Sequence, residues 1–222
     1  MASRTARLGS GLAGLWLTLA GGLMLAGCGA PQYTYVVNAT AHTYFKVPEQ
    51  WQKVSNASLQ LAINGGKPAA APSGVWTVGY DAAAAPTGAH VLSPATAQPF
   101  AFALVLPLNT SSRNAMSYDG LRDFLLPVTA TGRQLATMQG FPLSHFHLMR
   151  DTLLTPGQGI HGVRVTFSYR YPGGSVDTFD KVAFTNANET EVYVLLVHCL
   201  SSCYSQHAAQ INTVMSSFTV RS

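Results

Sequence analysis

The sequence predicts an α+β domain built on an antiparallel sheet with a closing helix packed on it. Three observations predict it. From Leu143 onward, four strand-like runs follow one another: LSHFHLMRDTLL, GVRVTFSYRY, SVDTFDKVAFT and EVYVLLVHC. Their links, T-P-G-Q-G, P-G-G and N-A-N-E, are too short for a crossover and rich in turn formers, so the runs read as an antiparallel meander. Next, Tyr204, Ala208, Ile211, Met215 and Phe218 recur at helical spacing, which predicts a closing helix from about Tyr204 to Ser216 packed on the sheet. Finally, 47% of the 222 residues are apolar and only 10% are charged, enough to build the core of one domain.

Taken in order, the folded region is expected to open with H-T-Y-F-K-V-P-E-Q-W, residues 42–51. Tyr44, Phe45 and Val47 suggest a strand that Pro48 ends, and Trp51 suggests a core anchor. The stretch GGKPAAAPSG, residues 65–74, is a turn-rich break. VWTVGYDA (75–82) alternates as a strand does, and FAFALVLPL (100–108) reads as a buried strand after an irregular loop. A short helix is expected over 117–127, with Ser117 as its cap, Leu121, Phe124 and Leu125 on its apolar face and Pro127 as its stop. In the meander, Val163, Val165, Phe167 and Tyr169 alternate with Arg164, Thr166, Ser168 and Arg170, which predicts one buried and one polar face. EVYVLLVH hardly alternates and reads as a central strand covered on both sides.

The first thirty residues are of another kind. Arg4 and Arg7 precede an apolar run from about Leu12 to Ala26 that is broken by glycines and ends in small residues, the pattern of a secretory signal. The run ends in L-A-G-C, Leu25 to Cys28, and resembles the lipobox of bacterial lipoproteins. That resemblance implies cleavage before Cys28 and acylation of its thiol and amino group; two or three acyl chains anchor a protein stably where one does not. The expected organisation is a signal over 1–27, a lipidated tether over 28–41 and a single domain over 42–222. The formal net charge is +4, and two of the thirteen basic residues, Arg4 and Arg7, fall in the signal. The remainder are spread thinly, which argues against nucleic acid as a partner.

Two cysteines are left, in H-C-L-S-S-C-Y-S-Q-H, residues 198–207. In an oxidising compartment Cys199 and Cys203 are expected to form a disulfide, since positions i and i+4 at a helix start lie roughly 6 Å apart. A metal site with His198 or His207 and a redox pair are the competing readings. Ser201 and Ser202 look like helix caps, which would leave Cys199 on the preceding strand and break a helical ligand face, and C-x-x-x-C is not the usual redox spacing.

The order of elements resembles the Mog1/PsbP-like fold, which opens with an F-x-V-P-x-x-W-like strand and closes with strand, helix and a short tail; the resemblance implies an α/β/α sandwich, an antiparallel sheet flanked by helices. Here the matching pieces are Phe45, Val47, Pro48 and Trp51, then residues 191–198, then INTVMSSFTV. The chain also looks like actinobacterial lipoproteins of that type, some of which carry C-x-x-x-C before the last helix. Gln50 stands where such patterns usually have glycine, and residues 66–99 match poorly.

No motif points to a particular chemistry. Gly157 to Gly162 fits G-x-G-x-x-G, but a strand follows it, so it reads as a hairpin turn and not as a dinucleotide site. The remaining lead is histidine. His145 and His147 would share a face of one strand, and His161 enters the neighbouring strand, so the three make a candidate metal site. Such residues are more often polar-face histidines. The acidic pairs Asp119 and Asp123, Asp177 and Asp180, and Glu189 and Glu191 read as surface or capping groups. The expectation is therefore a non-enzymatic binding or accessory domain without a cofactor. It would be lipid-anchored on the extracytoplasmic face of a bacterial membrane, with a protein, lipid or cell-envelope partner. A metal-binding envelope protein and a hydrolase with scattered residues are the alternatives.

Overall fold

A computed structural model describes residues 32–93, 96–114 and 116–221. The expected signal and the lipobox cysteine Cys28 lie outside them. In chain order the elements are β1 (Tyr33–Asn38), β2 (Thr43–Pro48), β3 (Gln52–Lys53), α1 (Asn56–Ile63), β4 (Trp76–Asp81) and β5 (Phe100–Pro107). Then come α2 (Thr110–Asn114), α3 (Tyr118–Asp123), α4 (Ala130–Met138), β6 (Ser144–Gly157), β7 (Ile160–Arg170), β8 (Val176–Thr185), β9 (Glu191–Leu200), α5 (Ser201–Ser216) and β10 (Thr219–Val220).

The strands form two sheets, β1-β2-β10 and β3-β4-β5-β9-β8-β7-β6. All pairs are antiparallel, so the meander over β6 to β9 stands as read. The G-x-G-x-x-G stretch is its first hairpin. Gln158 and Gly159 have φ of 55° and 75°, the positive values a two-residue primed turn demands. β9 lies between β5 and β8 and is buried from Val192 to Cys199, which explains its unbroken apolar run.

The large sheet is covered on both faces. On one, α5 and the small sheet bury Val36, Phe45, Val47, Ile211 and Met215 against Val78, Ala103, Leu195 and Val197. Trp51 is 3% exposed in this layer, as the sequence suggested. On the other face, Leu59 of α1 and Leu121 of α3 pack on Phe100, Phe102, Val163 and Val194. An aromatic group of Phe167, Tyr169 and Phe179 continues that layer beneath Val128.

Several expectations need correction. The stretch taken as tether contains β1, which pairs with β2 from Tyr33↔Pro48 to Asn38↔Thr43, so folded structure begins before residue 42. Helices α1 and α4 were not foreseen; both are short, and α4 buries none of its residues. Ser117 does cap α3, accepting from the Gly120 N–H, but the helix ends at Asp123. Leu125 then takes a positive φ of 70° and is 44% exposed, so it leaves the apolar face. Neither Ser201 nor Ser202 caps α5: Leu200 holds that position without a side-chain bond. The polar face of β7 is not open to water either: Arg164, Thr166 and Ser168 are all 9% exposed or less, and Arg164 donates to Asn212 and Ser216 of α5.

Candidate functional site

The cysteine pair is placed as expected. Cys199 ends β9 and Cys203 lies in the first turn of α5, with Cα atoms 6.0 Å apart and sulfurs 2.16 Å apart, at disulfide distance. Both are buried, so the pair clamps the start of α5 to the central strand. His207 lies on α5, while His198 faces the opposite side of the sheet among phenylalanines. This separates His198 from the cysteines, and the metal reading of that stretch has no geometry behind it.

The structure does not bring His145, His147 and His161 together. His145 has φ of 52° and sits in a register shift between Ser144 and His147, which breaks the two-residue alternation that would have put both rings on one face. His147 lies opposite Ser168 of β7, whereas His161 is the second residue of β7, seven residues before Ser168 and roughly 23 Å away along the strand. His161 instead packs edge-on against Tyr118, centroids 5.4 Å apart. Among the described residues no group of three histidine, cysteine or carboxylate side chains is placed to hold a metal ion.

Three polar constellations escaped the sequence reading: one is local to the loop after β4, and the other two are made by partners distant in the chain. Asp81, 1% exposed at the end of β4, accepts from the Ala83 and Thr87 N–H groups and from His90 Nδ1 at 2.6 Å. It thereby organises the loop that follows β4 and directs the His90 ring. Arg164 on β7 makes two bonds to Asp180 on β8, of 3.0 and 2.8 Å, and the Tyr204 hydroxyl adds a third donor to that carboxylate. Burial works against the arginine's charge, but Asp180 more than offsets it and leaves its pKa above the ordinary value. Tyr204 is pushed up to about 12 by burial and by the same carboxylate. Asp177 and Asp180, read as surface groups, are both fully buried.

Lys181 is the third. It projects from β8 into the opposite layer, has no exposed surface, and its Nζ donates to the Arg122 and Phe124 carbonyls at the end of α3. Burial lowers its pKa to about 7, with Asp123 opposing the shift. In the same layer His198 stacks on Phe179, centroids 5.4 Å apart, with Nδ1 3.6 Å from Asp177 Oδ2. These groups are sealed in the core, out of reach of a substrate.

An open site of ligand size lies elsewhere. A cleft of about 920 Å³ runs between α1 and the proline- and alanine-rich segment before β4. Leu61, Pro68, Val75 and Trp76 supply apolar walls, and Gln60 and Thr77 bond each other at its floor. Its lining residues include no titratable side chain. The sequence showed this segment only as a break: its small residues cannot fill the space beside α1.

No family model matches the sequence, and no curated protein does. Solved structures do. The chain is similar to the cyanobacterial PsbP (CyanoP) of Synechocystis sp. PCC 6803, with a TM-score of 0.51 and 13% identity over 88% of this chain and 96% of that one. It is also similar to the Ran-binding protein Mog1p of Saccharomyces cerevisiae, with a TM-score of 0.46 and 6% identity over 85% and 95% of the two chains. LpqN of Mycobacterium tuberculosis, involved in cell envelope biogenesis, gives a TM-score of 0.44 and 13% identity over 86% and 91%. The fold is Mog1/PsbP-like, in the α+β class. Identities this low speak to fold and not to activity.

Proposed function

We propose that this chain is an extracytoplasmic lipoprotein, anchored through acylated Cys28, whose domain serves the bacterial cell envelope as a non-enzymatic binding or accessory module. The observation that carries the reading is Leu25-Ala26-Gly27-Cys28, placed after a basic start and an apolar run. The buried Cys199 and Cys203 sulfurs at bonding distance support export, since such a pair persists where thiols are oxidised. The uncharged cleft beside α1 supports binding of a neutral, partly apolar ligand, because apolar walls with a few amide and hydroxyl groups reject charge and reward buried carbon.

The test is the mass of the amino-terminal peptide from protein recovered from a bacterial membrane fraction. Acylated Cys28 is the expected result, and Cys28→Ser should lose the acyl groups and leave the membrane. An unmodified cysteine in wild-type protein would sink the anchor. The cleft is tested separately by Trp76→Ala, which should weaken recovery of a photo-crosslinked ligand from envelopes while the fold survives.

A further inference from the structure

The small sheet has an outer face that the core does not use. Along β1, Val36 points inward at 7% exposure, while its neighbours Tyr35 and Val37 are 76% and 54% exposed. β2 alternates in the same sense, with Phe45 and Val47 buried and Tyr44 and Lys46 half-exposed between them. The register sets Tyr35 beside Lys46 and Val37 beside Tyr44, and β10 adds exposed Thr219 beyond Tyr44. Outward-facing residues on this sheet are thus Tyr33, Tyr35, Tyr44, Val37, Lys46 and Thr219. Two cations lie on the rings: Lys46 Nζ is 4.5 Å from the Tyr33 centroid, and Arg221 Cζ is 5.2 Å from that of Tyr44. Lys53 lines a groove of about 350 Å³ beside Tyr35 and Val37. Glu49 is the acid at this end, held by the Thr34 hydroxyl at 2.7 Å.

We infer that this face is a membrane-contact surface that lies against anionic lipid headgroups. Two features select that occupant. The first is reach. β1 begins at Tyr33, five residues after Cys28, and five residues span at most about 18 Å even when fully extended. A domain of roughly 190 residues is about 40 Å across, so an acylated Cys28 holds β1 close to the bilayer. The second is chemistry. Tyrosine rings with a polar tip, bordered by lysine and arginine whose stems lie along them, suit the boundary between headgroup and acyl chain. The three cations complement the negative potential of anionic lipid. The inference rests on the acylation proposed above.

The test uses the full-length lipidated protein on vesicles of about 3:1 phosphatidylcholine to phosphatidylglycerol. A nitroxide is attached at Val37→Cys, or at Met138→Cys on α4 as the reference, a residue 77% exposed on another element. With Cys28 acylated and Cys199 and Cys203 joined, the new thiol is the one that reacts. The label at 37 is expected to be several-fold less accessible than the label at 138 to a water-soluble relaxation agent. Equal accessibility, with acylation verified by mass, overturns the contact surface and leaves the anchor standing. An unacylated amino terminus overturns both. Protection that persists in detergent without a bilayer points to a second copy on this face and overturns the lipid assignment. Protection that is unchanged on pure phosphatidylcholine, or after Lys46→Glu with Arg221→Glu, overturns the anionic choice.

Discussion

Lys181→Met should change how stability depends on pH more than it changes stability at neutrality. The lysine is fully buried and its Nζ reaches two carbonyls at the end of α3. In the unfolded chain it holds its proton to about pH 10.4. In the folded protein burial lowers that value to about 7. Between these limits the unfolded chain binds more protons, so stability rises with pH; below pH 7 both states are protonated and stability sits on a low plateau. The full separation is on the order of 5 kcal/mol, with a limiting slope of about 1.4 kcal/mol per pH unit. Tyr169 and Tyr171, raised to about 12 chiefly by burial, act in the other direction once unfolded tyrosines ionise near pH 10. The clean window is therefore about pH 7 to 9, over which wild type should gain roughly 2–3 kcal/mol. Methionine has similar length and no titration. It leaves the Arg122 and Phe124 carbonyls without this donor, a cost of about 1–3 kcal/mol, and its own curve should be nearly flat. Urea unfolding of residues 29–222 at several pH values, followed by circular dichroism, measures the gap. From pH 7 to 9 the difference between wild type and variant is expected to shift in favour of wild type by that gain. Parallel curves would refute a proton-coupled Lys181.

Three further outcomes are expected. Asp180→Ala strands a buried arginine and should cost about 3–5 kcal/mol, whereas Arg164→Met with Asp180→Leu should recover most of it; a double-mutant cycle by denaturant unfolding checks this, and additive losses would contradict the pairing. Reduction of the cysteine pair, or Cys199→Ala with Cys203→Ala, should lower stability by about 2 kcal/mol, because the closed loop is small; unchanged unfolding with reductant would show that the pair is not joined. Gly88→Ala should cost about 1–3 kcal/mol, since its Cβ would stand 2.3 Å from the Ser58 carbonyl oxygen; a neutral effect on thermal unfolding would show that α1 and the turn at Gly88 are not in tight contact.

Much of the fold was legible where local chemistry and final environment agree. Val163 and Phe167 alternate with polar residues, turn formers separate the strands, and Ser117 caps the helix it precedes. The reading failed where a partner distant in the chain changes what a residue means. Arg164 and Asp180 look like solvent residues until β7 and β8 pair and α5 covers them. His145 and His147 look like a ligand pair until a bulge turns one away. The cleft beside α1 has no signature at all, because it is space that alanines and prolines leave open.

By itself, the sequence determined the short-range facts: an apolar run with its cysteine, a meander with its turns, a closing helix and a cysteine pair four residues apart. These depend on period, propensity and spacing, which neighbours in the chain supply. Only the tertiary structure decided which charges are buried, which histidines are separated and which tyrosines face out on β1 and β2. The reason is physical. Burial and distance are properties of pairs brought together by sheet register and layer packing, and register is fixed by the whole pattern of apolar contacts rather than by any one stretch.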